Sequence, residues 1–284
     1  MKIKSDWHIH TQNSCDEGSI KVKDLIKKTE EKGILYYGIS DHFHTIINLP
    51  DIVNSRKEYE ESNPPSNFYF GIEVSVVSKW EIEEIEKNRE KYKDAIYGIR
   101  RGGPSWAEPA VGIDEEIIKK LKIEYVIGGV HWPLYVEYER ESIIKDYHRQ
   151  LIFLASHPLI DIIAHPWWWM GKWEENGMYL EKPWFDNFSI IPESMHNEFI
   201  FCVKKNKKLV EINLEAMILT KKYPLKFKYQ YLEYLKKLEE NGVVLCIGSD
   251  CHSPYYDIDF EKAEKLLDWA GIKVENLSSI KERR

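Results

Sequence analysis

Cysteine is scarce. The four in 284 residues, Cys15, Cys202, Cys246 and Cys251, show neither the regular spacing of a disulfide framework nor a CxxC zinc motif. No apolar run approaches the ~18 to 20 residues needed to cross a bilayer, and the stretch 1–6 has no signal-peptide core. Basic charge is not in excess either: Lys+Arg 40 against Asp+Glu 47 gives a net charge of -7, so a long nucleic acid would find no electrostatic footprint. No Gly-rich phosphate loop follows the first apolar run, no G-x-S-x-G is present, and no Cys-His pair stands out as a nucleophile. These absences point to a cytoplasmic protein with no membrane partner and no long nucleic-acid partner, and leave a homo-oligomer open. Apolar residues make up 43% and charged residues 31%, enough for a large core and too balanced for a disordered chain.

Short runs rich in Ile, Val, Tyr and Phe recur at 3–8, 35–40, 68–74, 125–130, 160–164, 209–212 and 243–248. Each is bounded by Gly, Asp, Pro or Asn. Helical patterns fall between or after them at 20–32, 114–121, 139–156, 192–205, 227–241 and 260–270. Repeated strand-helix alternation argues for parallel strands with helices outside. About seven such units predict an α/β fold, a closed or nearly closed TIM-like barrel. An open doubly wound sheet is the competitor, weakened by the missing phosphate loop. The expectation is a single barrel domain over 1–284, with loop expansions around 79–113 and 167–191.

The metal-capable residues fall at the ends of these strands. The first run ends in His8 and His10, the second in Asp41-His42, and the third in Glu73. The fourth ends in His131, the fifth in His165 and the seventh in Asp250-Cys251-His252. In a parallel barrel those ends share one face, where active sites are built. His8 and His10 are two apart, so both point to the same side of their strand. Of ten histidines, six occupy such ends, which chance placement does not explain. His44, His148, His157 and His196 read as ordinary core or surface histidines, and Cys251 as packing. Imidazoles and carboxylates without thiolate suit Zn, Mn or Fe. Counting Asp16, nine candidates exceed what one ion can use, and two or three divalent transition-metal ions would employ them all.

His8-Ile9-His10-Thr11 with Ser14 and Asp16, then Ser40-Asp41-His42, Gly71-Ile72-Glu73, Gly129-Val130-His131, Ala164-His165-Pro166, Glu211-Ile212-Asn213 and 248–252 (GSDCH), resemble the PHP (polymerase and histidinol phosphatase) family in order and spacing. The resemblance runs from about residue 3 to residue 254. It implies a distorted (β/α)7 barrel with a metal cluster at its C-terminal face. It also implies a ligand set: His8, His10, Glu73 and Asp250 for one ion, Glu73 bridging to a second held by His131 and His165, and Asp16, His42 and His252 for a third. Length and the Glu-Ile-Asn segment look most like the family's histidinol-phosphate phosphatases, enzymes of histidine biosynthesis.

The chain departs from the family at 167–173, which reads WWWMGKW, and between Glu73 and the fourth strand, which is expanded. Both loops should overhang the mouth. The tryptophans could line a pocket, form a lid's own core or bury a subunit contact. Arg100 and Arg101 are candidate phosphate clamps, against the plainer reading of a solvated pair on a turn. Trp168 and Lys172 are further substrate candidates. The charge run 81–94 reads as a solvated helix. The function expected is hydrolysis of a small phosphate monoester, histidinol phosphate first. A metal-bound hydroxide held by Glu73, His131 and Asp250 would attack phosphorus. The alternatives are a mononucleotide phosphatase or other phosphoesterase of the same family, a metal-dependent amidohydrolase and a silent scaffold.

Overall fold

Seven parallel strands alternate with helices and close on themselves in the computed structural model, which describes residues 2–16, 20–169, 174–175, 178–179, 184 and 187–280. They are β1 (Ser5–Asp6), β2 (Tyr36–Phe43), β3 (Phe68–Ser75), β4 (Tyr125–Gly129), β5 (Ile162–Ile163), β6 (Leu209–Asn213) and β7 (Val244–Gly248), paired in that order. The ring closes where β1 meets β7: Trp7 N–H donates to Ile247 O, Asp250 N–H to His8 O, and His10 N–H to Cys251 O. Asp6 reinforces this seam, its carboxylate accepting from Ser249 N–H at 2.8 Å and Tyr256 O–H at 2.7 Å. The result is a distorted (β/α)7 TIM-like barrel. The open doubly wound sheet is excluded.

The strands form where short apolar runs can be buried on both faces, as parallel strands require. The helices are α1 (Val22–Lys32), α2 (Leu49–Glu61), α3 (Lys79–Lys87), α4 (Glu115–Leu121), α5 (Arg140–Ser156), α6 (Glu193–Lys205), α7 (Leu225–Glu240) and α8 (Phe260–Ala270). Among the described residues no helix is long and apolar enough to cross a membrane.

Two layers fill the barrel. Tyr125 and Ile127 of β4, Ile162 and Ala164 at β5, Leu209 of β6 and Cys246 of β7 cluster with Trp7 as an apolar floor. The Tyr125 hydroxyl lies 2.9 Å from both Trp7 O and Ile39 O, which share its one proton. Its ring occupies the space where a side chain on Gly71 would stand, so that glycine is required by close approach. Two residues further along the same inward faces lie Glu73, Gly129 and Glu211, which open the second, ionisable layer.

The 81–94 segment differs from expectation. Helix α3 stops at Lys87, and Glu81 is buried, not solvated. Glu81 closes a capping box with Ser78 and also accepts from Ile99 N–H and the Arg100 guanidinium. Two inward obligations outweigh its intrinsic preference for water.

Candidate metal centre

Glu73 sits at the middle of the mouth, wholly buried. Its Oε1 lies 3.0 Å from His165 Nε2 and 3.2 Å from His131 Nε2. Its Oε2 lies 2.9 Å from His42 Nδ1, 3.2 Å from His8 Nε2 and 3.6 Å from His10 Nε2. Around this carboxylate Asp250 Oδ1 approaches His10 Nε2 at 3.2 Å and His8 Nε2 at 3.5 Å. On the outer side Asp16 Oδ2 faces His252 Nε2 at 2.7 Å and His42 Nε2 at 3.1 Å. All nine candidate ligands therefore converge. Three groups have ligand atoms within 4.8 Å of one another: His10, Asp16, His42 and His252; His8, His10 and Asp250; and His42, Glu73 and His131.

The backbone is shaped for this convergence. A side chain on Gly129 would collide with Glu73, His131 and His165 together. His165 and Asp250 hold left-handed backbone angles, φ 26° and 56°, a strained state at ~1 to 3 kcal/mol each. Neighbouring groups then fix the rings. His8 Nδ1 lies 2.7 Å from Glu211 Oε1, and Glu211 Oε2 accepts from His165 N–H at 2.7 Å. Asn213 donates to both Glu211 and Asp250. Asp41 is held by Thr11 N–H, Thr11 O–H and Ser55 O–H, so it anchors the loop after His10 rather than joining the cluster. Glu211 and Asn213 were visible in sequence as a motif. Their positioning work was not, because it depends on partners from other strands.

The electrostatics are those of a site made for cations. Burial alone would depress His8, yet Glu211, Glu73 and Asp250 together raise it well above the ordinary imidazole range. Against the same burial, Glu73 and Asp16 raise His42 to about 10. Asp16 and Asp250 raise His252 to about 9. His10 goes the other way, to about 3, because burial is joined by its neighbours His252 and His42. Glu73 itself is held well below the carboxylate range by His8, His131 and His42, which outweigh its burial. A bound cation would displace the protons on these rings.

The donor set fits divalent ions. Asp16 Oδ1 and His165 Nδ1 are buried without a hydrogen-bond partner, and Glu73 Oε2 and His42 Nδ1 face each other at 2.9 Å; an unpartnered buried carboxylate oxygen is a costly state that coordination at Asp16 would relieve. His8 Nε2 and His10 Nε2 face one another at 3.0 Å, close to the separation of two nitrogens on one ion at ~2.0 to 2.1 Å.

The remaining site expectations separate. Trp168 lies beside the cluster, its ring 5.3 Å from His165 and 5.7 Å from His131. Trp167 and Trp169 are instead buried against Trp184, with Tyr147 of α5 behind it. Arg100 is neither a solvated residue nor an open clamp: Glu81 pairs with its guanidinium, which stacks 3.7 Å from the Trp132 ring centre. Arg101 is exposed. Lys172 lies outside the described residues, as does Trp173. His44, read as an ordinary histidine, is buried at the cluster's edge, its ring 4.7 Å from that of His42.

A parallel seven-stranded barrel with imidazoles and carboxylates packed at its C-terminal mouth defines a barrel with a metal-binding group. The PHP domain profile matches residues 6–175, and the chain belongs to that family. It is similar to a "Probable phosphatase" of Shewanella pealeana, 23% identical over 278 residues, covering 98% of this chain and 88% of that one. A "Probable phosphatase" of Acetivibrio thermocellus is 22% identical over 273 residues, covering 94% and 87%. The fold is shared with a solved structure from Listeria monocytogenes, "putative histidinol phosphatase hisK". The TM-score is 0.56 at 12% identity, covering 91% of this chain and 99% of that one.

Proposed function

We propose that this chain is a metal-dependent phosphomonoesterase acting on a small phosphate ester, with histidinol phosphate the first substrate to test. The observation that carries the reading is the convergence of His8, His10, Asp16, His42, Glu73, His131, His165, Asp250 and His252 on one mouth. These residues would hold two or three ions of the Zn, Mn or Fe type, with Glu73 shared between them. When bound, such ions supply positive charge for phosphoryl oxygens and acidify water.

The chain's own groups do the rest. Three ligand carboxylates, Asp16, Glu73 and Asp250, leave two or three divalent ions with net positive charge, which favours a dianionic ester over a neutral amide. Glu211 orients His8, and Asn213 orients Asp250. Trp168 offers an aromatic wall beside His131 and His165, suited to a flat or cationic organic end at ~0.5 to 2 kcal/mol. Arg100, already neutralised by Glu81, supports Trp132 and leaves phosphate capture to the cluster.

The test is phosphate release from a panel of small phosphomonoesters with Mn, Zn or Fe added, alongside a mononucleotide and a cyclic amide. Turnover of histidinol phosphate above simple sugar phosphates is expected, and chelation should abolish it. Preferred cleavage of mononucleotides would reassign the substrate. Preferred cleavage of the amide would reject the reaction class.

A further inference from the structure

Ser75, the last residue of β3, stands between two imidazoles. Its Oγ lies 2.8 Å from His131 Nδ1 and 2.6 Å from His44 Nδ1. All three residues are buried. The backbone of His44 is anchored, its main-chain N–H donating to Asn48 Oδ1 at 3.0 Å. Its ring is packed by His42 on one side and Trp132 on another.

A hydroxyl has one proton to donate. If His131 is to offer the lone pair of Nε2 towards the cluster, its proton must sit on Nδ1, and Nδ1–H then donates to Ser75 Oγ. Ser75 Oγ has no other hydrogen-bond acceptor in reach among the described residues, so its proton is directed to His44 Nδ1, which is then bare, and the proton of His44 sits on Nε2. The opposite polarity would place a proton on His131 Nε2, against Glu73 Oε1, where a ligand atom is needed. We infer that His44 is a positioning residue: acting through Ser75, it holds His131 in the ligating tautomer and is itself excluded from ligation at either nitrogen. The inference rests on the metal-dependent reading above. It sorts the seven imidazoles crowded at the mouth into six ligands and one that orients a ligand.

The test uses the full chain loaded with zinc. Long-range nitrogen–proton correlation spectra of the imidazoles should show His131 protonated on Nδ1 and His44 protonated on Nε2. A His44 protonated on Nδ1, or one carrying a zinc shift, overturns the proposal. In parallel, Ser75→Ala and His44→Phe are titrated with zinc against a competing chelator. Each should weaken the ion at His131 by about tenfold or more, with the other ions retained. His44→Gln keeps a carbonyl acceptor for Ser75 and should stay within a few fold of the unaltered protein. Equal affinity in all four proteins, each with an unchanged thermal midpoint, overturns the relay alone. Failure of the unaltered chain to take up zinc overturns the metal-dependent reading itself, so the two failures are distinguishable.

Discussion

The two layers inside the barrel are built on the same strands, two residues apart, and follow opposite rules. The floor, around Tyr125 and Trp7, is apolar: the Tyr125 hydroxyl reaches backbone carbonyls, and the one other polar side-chain atom of this pair, Trp7 Nε1, is buried without a partner. The layer above it holds carboxylates and imidazoles at 2.7 to 3.6 Å and leaves Asp16 Oδ1 buried without a hydrogen bond. The lower layer is arranged for the fold. The upper one stores unmet electrostatic demand that a cation would satisfy.

The sharpest way to break this contrast is to alter each layer separately. Glu73→Gln should cost about a thousandfold in phosphatase activity, since several kcal/mol of charge stabilisation depend on it and each 1.36 kcal/mol is tenfold. His252→Asn, at the partly exposed rim, should cost about tenfold to a hundredfold. Steady-state rates and elemental analysis together check this, and equal small effects would mean that Glu73 is not shared between ions. Gly71→Ala strikes the floor instead. The added carbon meets the Tyr125 ring, and overpacking of this kind should cost about 3 kcal/mol in urea denaturation. Metal content should be unchanged, and its loss would show that the layers are not separable.

Acid sensitivity provides a control outside both layers. His196 is buried against Phe188, Tyr234 and Trp167, and burial, then nearby Lys237, lowers its pKa to about 4. The unfolded chain protonates near 6.5, before the folded one does, so this stability is complete above that pH and is lost as pH falls towards 4. Between pH 7 and pH 5 it amounts to about 2 kcal/mol. His196→Phe should remove that increment with or without chelator, as measured by denaturation at both pH values. The smallest expected effect is that of Trp168→Ala, which should raise KM for histidinol phosphate by up to about tenfold and leave kcat nearly intact.

All seven barrel strands could be read from the sequence because strands buried on both faces are short apolar runs between breakers. Helix α2 could not. It buries only Ile52, Ser55 and Tyr59, and with Ser55 in the middle of that stripe the apolar face is too thin to stand out. The convergence of strand-end histidines followed from parallel topology. The burial of Glu81, the pairing of Arg100 and the place of His44 did not follow. Beyond the local Ser78–Glu81 capping box, they depend on contacts between distant segments, Glu81 with Ile99 and Arg100, Arg100 with Trp132, and His44 with Ser75. The tryptophan run divided by position: Trp168 faces the mouth, while its two neighbours are buried against Trp184.

The seam between β1 and β7 has a consequence for biosynthesis. His8 and His10 lie on one side of it, and Asp250 and His252 on the other, joined by backbone hydrogen bonds and by Asp6. A growing polypeptide therefore cannot assemble the mouth until residue 252 has left the ribosome, however early the other strands pair. Joining segments so distant in sequence carries a large loop-closure entropy and makes this a late event in folding. A C-terminally truncated product would keep most of the barrel's apolar sequence yet lack two of the nine clustered groups. Metal uptake would then report that synthesis had run past the last strand.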